Sequence, residues 1–162
     1  MADELPKHHG SINYDLLAKI QAVVLAQPQR VQMAEWINDD NDDCAVASLR
    51  KDCGTAGCIG GWACALGSQR PISLEYVPTA AMLLLGLSDA QSARLFYVSG
   101  WPADWRNAYL TALEMEPDSI DWEDDSSALL AAENYAGPAE RHAAALVIYQ
   151  RLQVFIDTEG EI

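Results

Sequence analysis

Apolar residues along this chain recur mostly at three- and four-residue spacing, the period of a helix with one buried face. In "SINYDLLAKIQAVVLAQP", Leu16, Leu17, Ile20, Val23 and Val24 share such a face. Ser11 is placed to cap its start and Pro28 to stop it. The clearest run is the last: from Pro138 to Asp157, the residues Ala145, Ile148, Tyr149, Leu152, Phe155 and Ile156 form one stripe, which Gly160 ends. Between them, "PTAAMLLLG" puts Pro78 at a first helical position, stops at Gly86 and is apolar nearly all round, as suits a central buried helix. "SDAQSARLFY" opens with Ser88 and has Gln91 three residues on, the capping-box pattern. A further helix is expected over residues 103–113, with Trp105, Tyr109 and Ala112 or Leu113 on one face, after the chain breaks at Gly100 and Pro102.

Strand signals are sparse. In "PISLEYV", Ile72, Leu74 and Tyr76 alternate with polar residues, which fits one short strand or merely extended chain, and a lone strand has no partner. A short segment covers residues 33–37, and no repeat of solenoid length is visible. The pattern predicts an all-α fold: a compact single-domain orthogonal bundle of about five to six helices with at most one short strand pair. Residues 1–162 form that one helical domain, with a mobile tail at 1–10 and acidic loops at 38–52 and 114–127.

Composition agrees with a folded globule. The chain has 162 residues, half of them apolar, enough for one core and no more than one domain by length. "MADELPKHHG" has neither a basic start nor an apolar core, so no signal peptide is expected, and no apolar run approaches a membrane span. These features point to a cytoplasmic protein. There Cys44, Cys53, Cys58 and Cys64 are expected as thiols or metal ligands, not as disulfides.

Charge changes the picture more. The formal net charge is −14, and the excess sits in two blocks. "EWINDDNDD" at 35–43 holds five acids and no base, and "EMEPDSIDWEDD" at 114–125 holds seven acids and no base. Such blocks repel phosphate, so direct binding of DNA or RNA is not expected. They are either solvated loops or a surface that docks onto a basic partner.

"CGTAGCIGGWA" at 53–63 is the densest stretch of candidate chemistry. With Thr55 as N-cap, Cys58 falls at the third helical position and Cys53 just ahead of the cap, where the helix dipole favours a thiolate. A nucleophile also needs a base, and the histidines are His8 and His9 in the tail and His142 at the start of the last helix. The cysteine spacing contains no C-x-x-C knuckle, which leaves Cys44, Cys53, Cys58 and a histidine as the remaining zinc arrangement. Calcium loops fail as well: a loop started at Asp39 has Cys44 and Arg50 where Gly and Glu are required, and one started at Asp121 has Ser126 and Ala132. No metal or cofactor is therefore expected. A helix start with Gly54 and Gly57 can also cradle an anion, so Cys53, Gly54, Thr55, Gly57, Cys58 and Trp62 are candidate ligands for a nucleotide. In the packing reading, Gly57, Gly61 and Cys64 or Ala65 form a small-residue strip that admits another helix, either the "AAMLLL" segment or the terminal one.

"PQRVQMAEW", "CGTAGCIGGWA", "LLLGLSDAQSARLFY" with "GWP" behind it, and a terminal helix ending "FIDTEG" together resemble a family of small proteins found in bacteriophages and bacterial genomes. The family's signature is roughly Cys-Gly-Thr-x-x-Cys-Ile-x-Gly-x-Ala, and the resemblance spans about residues 13–157. Gly60 stands where that family tends to carry Ala, and the acidic stretch at 114–125 is not typical of it. The resemblance implies a phage or prophage setting and carries no activity across. The expected function is that of a non-enzymatic acidic binding protein that inhibits or modulates a host protein, either of defence or of nucleic-acid handling. It would engage a basic surface on that host protein through Asp39, Asp40, Asp42, Asp43, Glu116, Asp118, Asp121, Glu123, Asp124 and Asp125. The rival expectations are a nucleotide sponge at residues 53–62 and a thiol-dependent enzyme using Cys53 or Cys58.

Overall fold

A computed structural model describes residues 5–37, 45–50, 55–117, 119–122 and 127–162 of the chain. The described residues form eight α-helices: α1 Tyr14–Ala26, α2 Ala45–Arg50, α3 Ile59–Gly67, α4 Val77–Leu85, α5 Asp89–Phe96, α6 Ala103–Ala112, α7 Ser127–Tyr135 and α8 Pro138–Asp157. Three short 3-10 turns, at Pro28–Arg30, Leu74–Tyr76 and Val98–Gly100, join them. The fold is all-α. "PISLEYV" holds no strand: residues 71–73 are irregular, Leu74–Tyr76 form one of these turns and Val77 opens α4, and among the described residues extended pairing is limited to two isolated bridges on Gly57.

Local chemistry explains most helix ends. Asn13, and not Ser11, caps α1: its Oδ1 accepts the Leu16 amide at 3.1 Å while its Nδ2 donates to the Leu84 carbonyl at the end of α4. Asn13 therefore ties two elements where Ser11 would have capped one. The Ser88–Gln91 capping box of α5 is formed on both sides. Gly86 closes α4 with φ +66°, a left-handed conformation in which a side chain is strained. Two helices exceed the expected count. α2 is a six-residue helix inside the span expected as an acidic loop, and α7 lies in a short apolar stretch between the second acidic block and Pro138.

The centre of the molecule is α3, in which every residue from Ile59 to Ala65 is buried. It packs against α4, α2 and α1, while α8 packs against α1 and α6. The "AAMLLL" helix expected at the centre is less enclosed, since Met82, Leu83 and Leu84 on α4 are only half-buried. Ala145, Ile148, Leu152 and Phe155 of α8 are buried as the stripe predicts. No helix among the described residues is long and apolar enough to cross a membrane. Of the expected tail, residues 5–10 are described, and the His9 amide donates to the Leu83 carbonyl at 3.0 Å.

Candidate functional site

The described part of "CGTAGCIGGWA" is built into the protein against the segment at residues 31–37. Arg30 starts the arrangement. Its guanidinium donates to the Thr55 carbonyl at 2.9 Å and to the Leu49 carbonyl at the end of α2 at 3.0 Å, and lies 5.0 Å from the Trp62 ring centre. The Trp62 indole N–H in turn donates to the Arg30 carbonyl at 2.9 Å. Both ends of the 31–37 loop then close on one residue: Val31 and Ile37 each form a bridge with Gly57. The Gly57 amide donates to the Arg30 carbonyl, the Gln32 amide to the Gly57 carbonyl and the Cys58 amide to the Trp36 carbonyl, at 3.0–3.1 Å.

This closure explains the glycines. A Cβ on Gly61 would overlap the Trp36 carbonyl oxygen, and one on Gly60 would overlap the Trp36 ring. One on Gly57 would meet Leu49 at 2.8 Å and the Trp36 carbonyl at 3.0 Å. The strip therefore admits Trp36 and its backbone at Gly57 and Gly61, while the expected "AAMLLL" helix, α4, packs on α3 as well: a Cβ on Gly60 would also meet the Ala81 Cβ, at 3.5 Å, and the Cys64 thiol donates to the Val77 carbonyl at 3.6 Å. Gly60 is the position against which the Trp36 ring lies. That ring also meets Phe96 and Tyr97 edge-on, at centroid distances of 5.7 and 5.5 Å.

The helix start lies three residues later than the sequence suggests. Cys58, not Thr55, is the N-cap residue of α3, because Gly57 is bridged to both Val31 and Ile37 and the Cys58 amide is bonded to the Trp36 carbonyl, which keeps the chain before Ile59 from coiling. The Cys58 thiol is buried, and desolvation pushes it up to about 12 despite the opposing Gly61 and Gly60 amides. Cys64 is likewise pushed up to about 12 by burial, then by the neighbouring Cys58. His142 is exposed on α8, so imidazole and buried thiol do not share a surface. Gly57 and Trp62 are buried too, and Thr55 is half-buried. Cys44, Cys53 and Gly54 lie outside the described residues. Among the described residues, no three His, Cys, Asp or Glu side chains gather closely enough to hold a metal ion.

A carboxylate that no motif announced holds the middle of the same loop. Glu133 on α7 is 2 % exposed and accepts the Met33 amide at 2.6 Å, the Ala34 amide at 2.9 Å and the Tyr109 hydroxyl at 2.5 Å. Burial pushes its carboxyl up from the usual range, while Tyr109, the two amides and Arg141 pull the other way. Burial and the adjacent Glu133 raise the Tyr109 phenol well above its ordinary value. Arg141 donates to the Glu133 backbone carbonyl at 2.7 Å. The signal in the sequence was slight: one acid within "LLAAENYA", four residues after Leu129 and so on the same helical face.

Met33, Ala34 and Leu129 also wall an open groove of about 100 Å³, completed by residues 97–99 and Trp122. Its walls come from both acidic regions, for Ala34 immediately precedes Glu35 and Trp122 immediately follows Asp121. A larger hollow of about 400 Å³ lies between residues 5–7 and residues 67–70, at the opposite end of α3 from the expected cradle.

Of the acids expected to meet a partner, Glu116 and Asp121 are described, and both are exposed. Asp39, Asp40, Asp42, Asp43, Asp118, Glu123, Asp124 and Asp125 lie outside the described residues. Among the described residues, Glu133 is the one buried acid, whereas Arg30 and Arg151 are buried cations. Arg151 donates to the Arg94 and Ile162 carbonyls at 2.8 Å, and desolvation lowers it to about 10. Arg50, Arg94, Arg106 and Arg141 also donate to backbone carbonyls. Comparison with protein families, with curated proteins and with solved structures finds no match to this chain.

Proposed function

We propose that this chain is a non-enzymatic acidic binding protein of phage or prophage origin. In this reading it acts in the bacterial cytoplasm and inhibits or modulates a host protein of defence or nucleic-acid handling by covering its basic surface. The observation that carries the reading is the sorting of charge. Among the described residues two arginines, Arg30 and Arg151, are sequestered in the core against one acid, Glu133, and the other described acids lie at least partly on the surface. The outer face is therefore more acidic than a net charge of −14 spread evenly would make it. Such a face attracts a basic partner by long-range steering and competes with phosphate for it.

The nucleotide-sponge and thiol-enzyme readings draw less support. Gly57, Cys58 and Trp62 are covered by residues 31–37, and the Cys58 thiol is held protonated by burial. The deciding experiment is capture of host protein from bacterial lysate by the wild type and by a variant in which Asp121, Glu123, Asp124 and Asp125 are replaced by their amides. The variant should lose capture while keeping its thermal midpoint. Equal capture by both proteins sinks the reading.

A further inference from the structure

The groove between the two acidic regions has a chemistry of its own. Its walls are mostly apolar, made by Met33, Ala34, Val98, Trp122 and Leu129 with Tyr97, and Ser99 adds a polar member. The amides of Met33 and Ala34 are already taken by Glu133, so they offer an occupant no hydrogen bond. At about 100 Å³ the groove is smaller than the roughly 150 Å³ cavity that accepts benzene, which leaves room for one aliphatic side chain and not for a nucleotide base. Tyr97 is 47 % exposed at its mouth, an amphipathic ring of the kind that anchors protein contacts.

We propose that this groove seats one aliphatic side chain, of leucine or methionine size, projecting from a basic segment of a protein partner. The inference rests on the acidic-docking reading above and specifies where the apolar anchor of that contact lies. Charge complementarity selects the occupant. Glu35 and Asp121 adjoin the walls in sequence, while Arg106 donates to the carbonyl of the lining residue Ser99 at 3.2 Å and so has part of its donor capacity already engaged. A second copy of the chain would bring another −14 charge to the same place, a repulsion that a basic partner does not meet. The wall is also preorganised, because Glu133 fixes the Met33–Ala34 peptide from beneath and binding need not order it.

The test is calorimetric titration at low salt with two probes, an oligolysine peptide carrying one central leucine and the same peptide with glycine at that place. Wild-type protein should bind the leucine peptide about tenfold more tightly, the worth of burying most of one aliphatic side chain. Tyr97→Ala and Trp122→Ala, each at a half-exposed position, should bring the leucine peptide down to the glycine level and leave the salt dependence of both unchanged. Equal binding of the two peptides by the wild type overturns the groove and leaves the acidic surface standing. Failure of both peptides to bind removes the acidic reading and the groove together. Sedimentation of the free chain as a dimer that Trp122→Ala dissolves also overturns the proposal, by giving the groove to a second copy.

Discussion

On one side of the loop at residues 31–37, Trp36 fills the space left by Gly57, Gly60 and Gly61; on the other, Met33 and Ala34 leave a groove open to solvent. The filled side is the one rich in cysteine and glycine, residue types that invite thiol, metal and phosphate chemistry. The open side is made of ordinary residues from four separate stretches of chain. Residue types that suit chemistry also suit close packing, because a short or missing side chain is what lets backbone approach backbone. An accessible surface, by contrast, depends on which segments stop short of one another.

The sharpest way to break this contrast is to ask whether the filled side is closed. With both thiols raised from 9.0 to about 12, Cys58 and Cys64 should be alkylated at least roughly a thousandfold more slowly at pH 8 than in the unfolded chain. Peptide mapping after timed labelling measures this, and fast labelling of Cys58 would mean that the helix start is open.

Next in size is Glu133→Ala, which strips three donors of their acceptor at a buried site. It should cost about 3 kcal/mol in urea unfolding. Glu133 also has a pH signature. A carboxyl raised in the folded state keeps its proton longer there than in the unfolded chain, so its contribution to stability is full below about 4.5 and is lost as pH rises through the raised value. Subtracting a Glu133→Gln unfolding series from the wild-type series isolates that slope from the general repulsion of the acidic surface. A difference that grows in the wild type's favour with rising pH would show the three donors outweighing burial.

Gly61→Ala follows, at about 2 kcal/mol of destabilisation, since the Trp36 carbonyl it would strike is backbone and is also the acceptor of the Cys58 amide. Gly60→Ala should cost less than Gly61→Ala. The atom in its way belongs to a ring that can turn, and the gain in helix propensity, about 1 kcal/mol, offsets part of the strain. Equal losses from the two would show that Trp36 is locked from both sides. The smallest effect belongs to the open side: Tyr97→Ala, which removes one edge-on contact with Trp36, should change stability by about 1 kcal/mol or less.

What could be read from the sequence divides along the same line. The capping box at Ser88 and the stripe on α8 depend on residues within one or two turns of each other, and both were legible. Ser11 suits a cap by residue type and position, but spacing alone does not show that Asn13 has a second bond waiting at the Leu84 carbonyl. The glycines announced a close approach without naming the visitor. Trp36 reaches them only because residues 31 and 37 both pair with Gly57, a long-range fact with no local signature. Glu133 was invisible for the same reason, as its partners lie on a loop and on α6.

The grip of Glu133 on the Met33 and Ala34 amides spans 100 and 99 residues of chain. Amides in irregular segments ordinarily trade hydrogen for deuterium through small local openings. These two cannot be released without parting α7 from the loop, so they should exchange with the slow, cooperative set of the core helices. In a deuterium-uptake map, a protected pair in the middle of non-helical sequence would mark this carboxylate as a long-distance clasp.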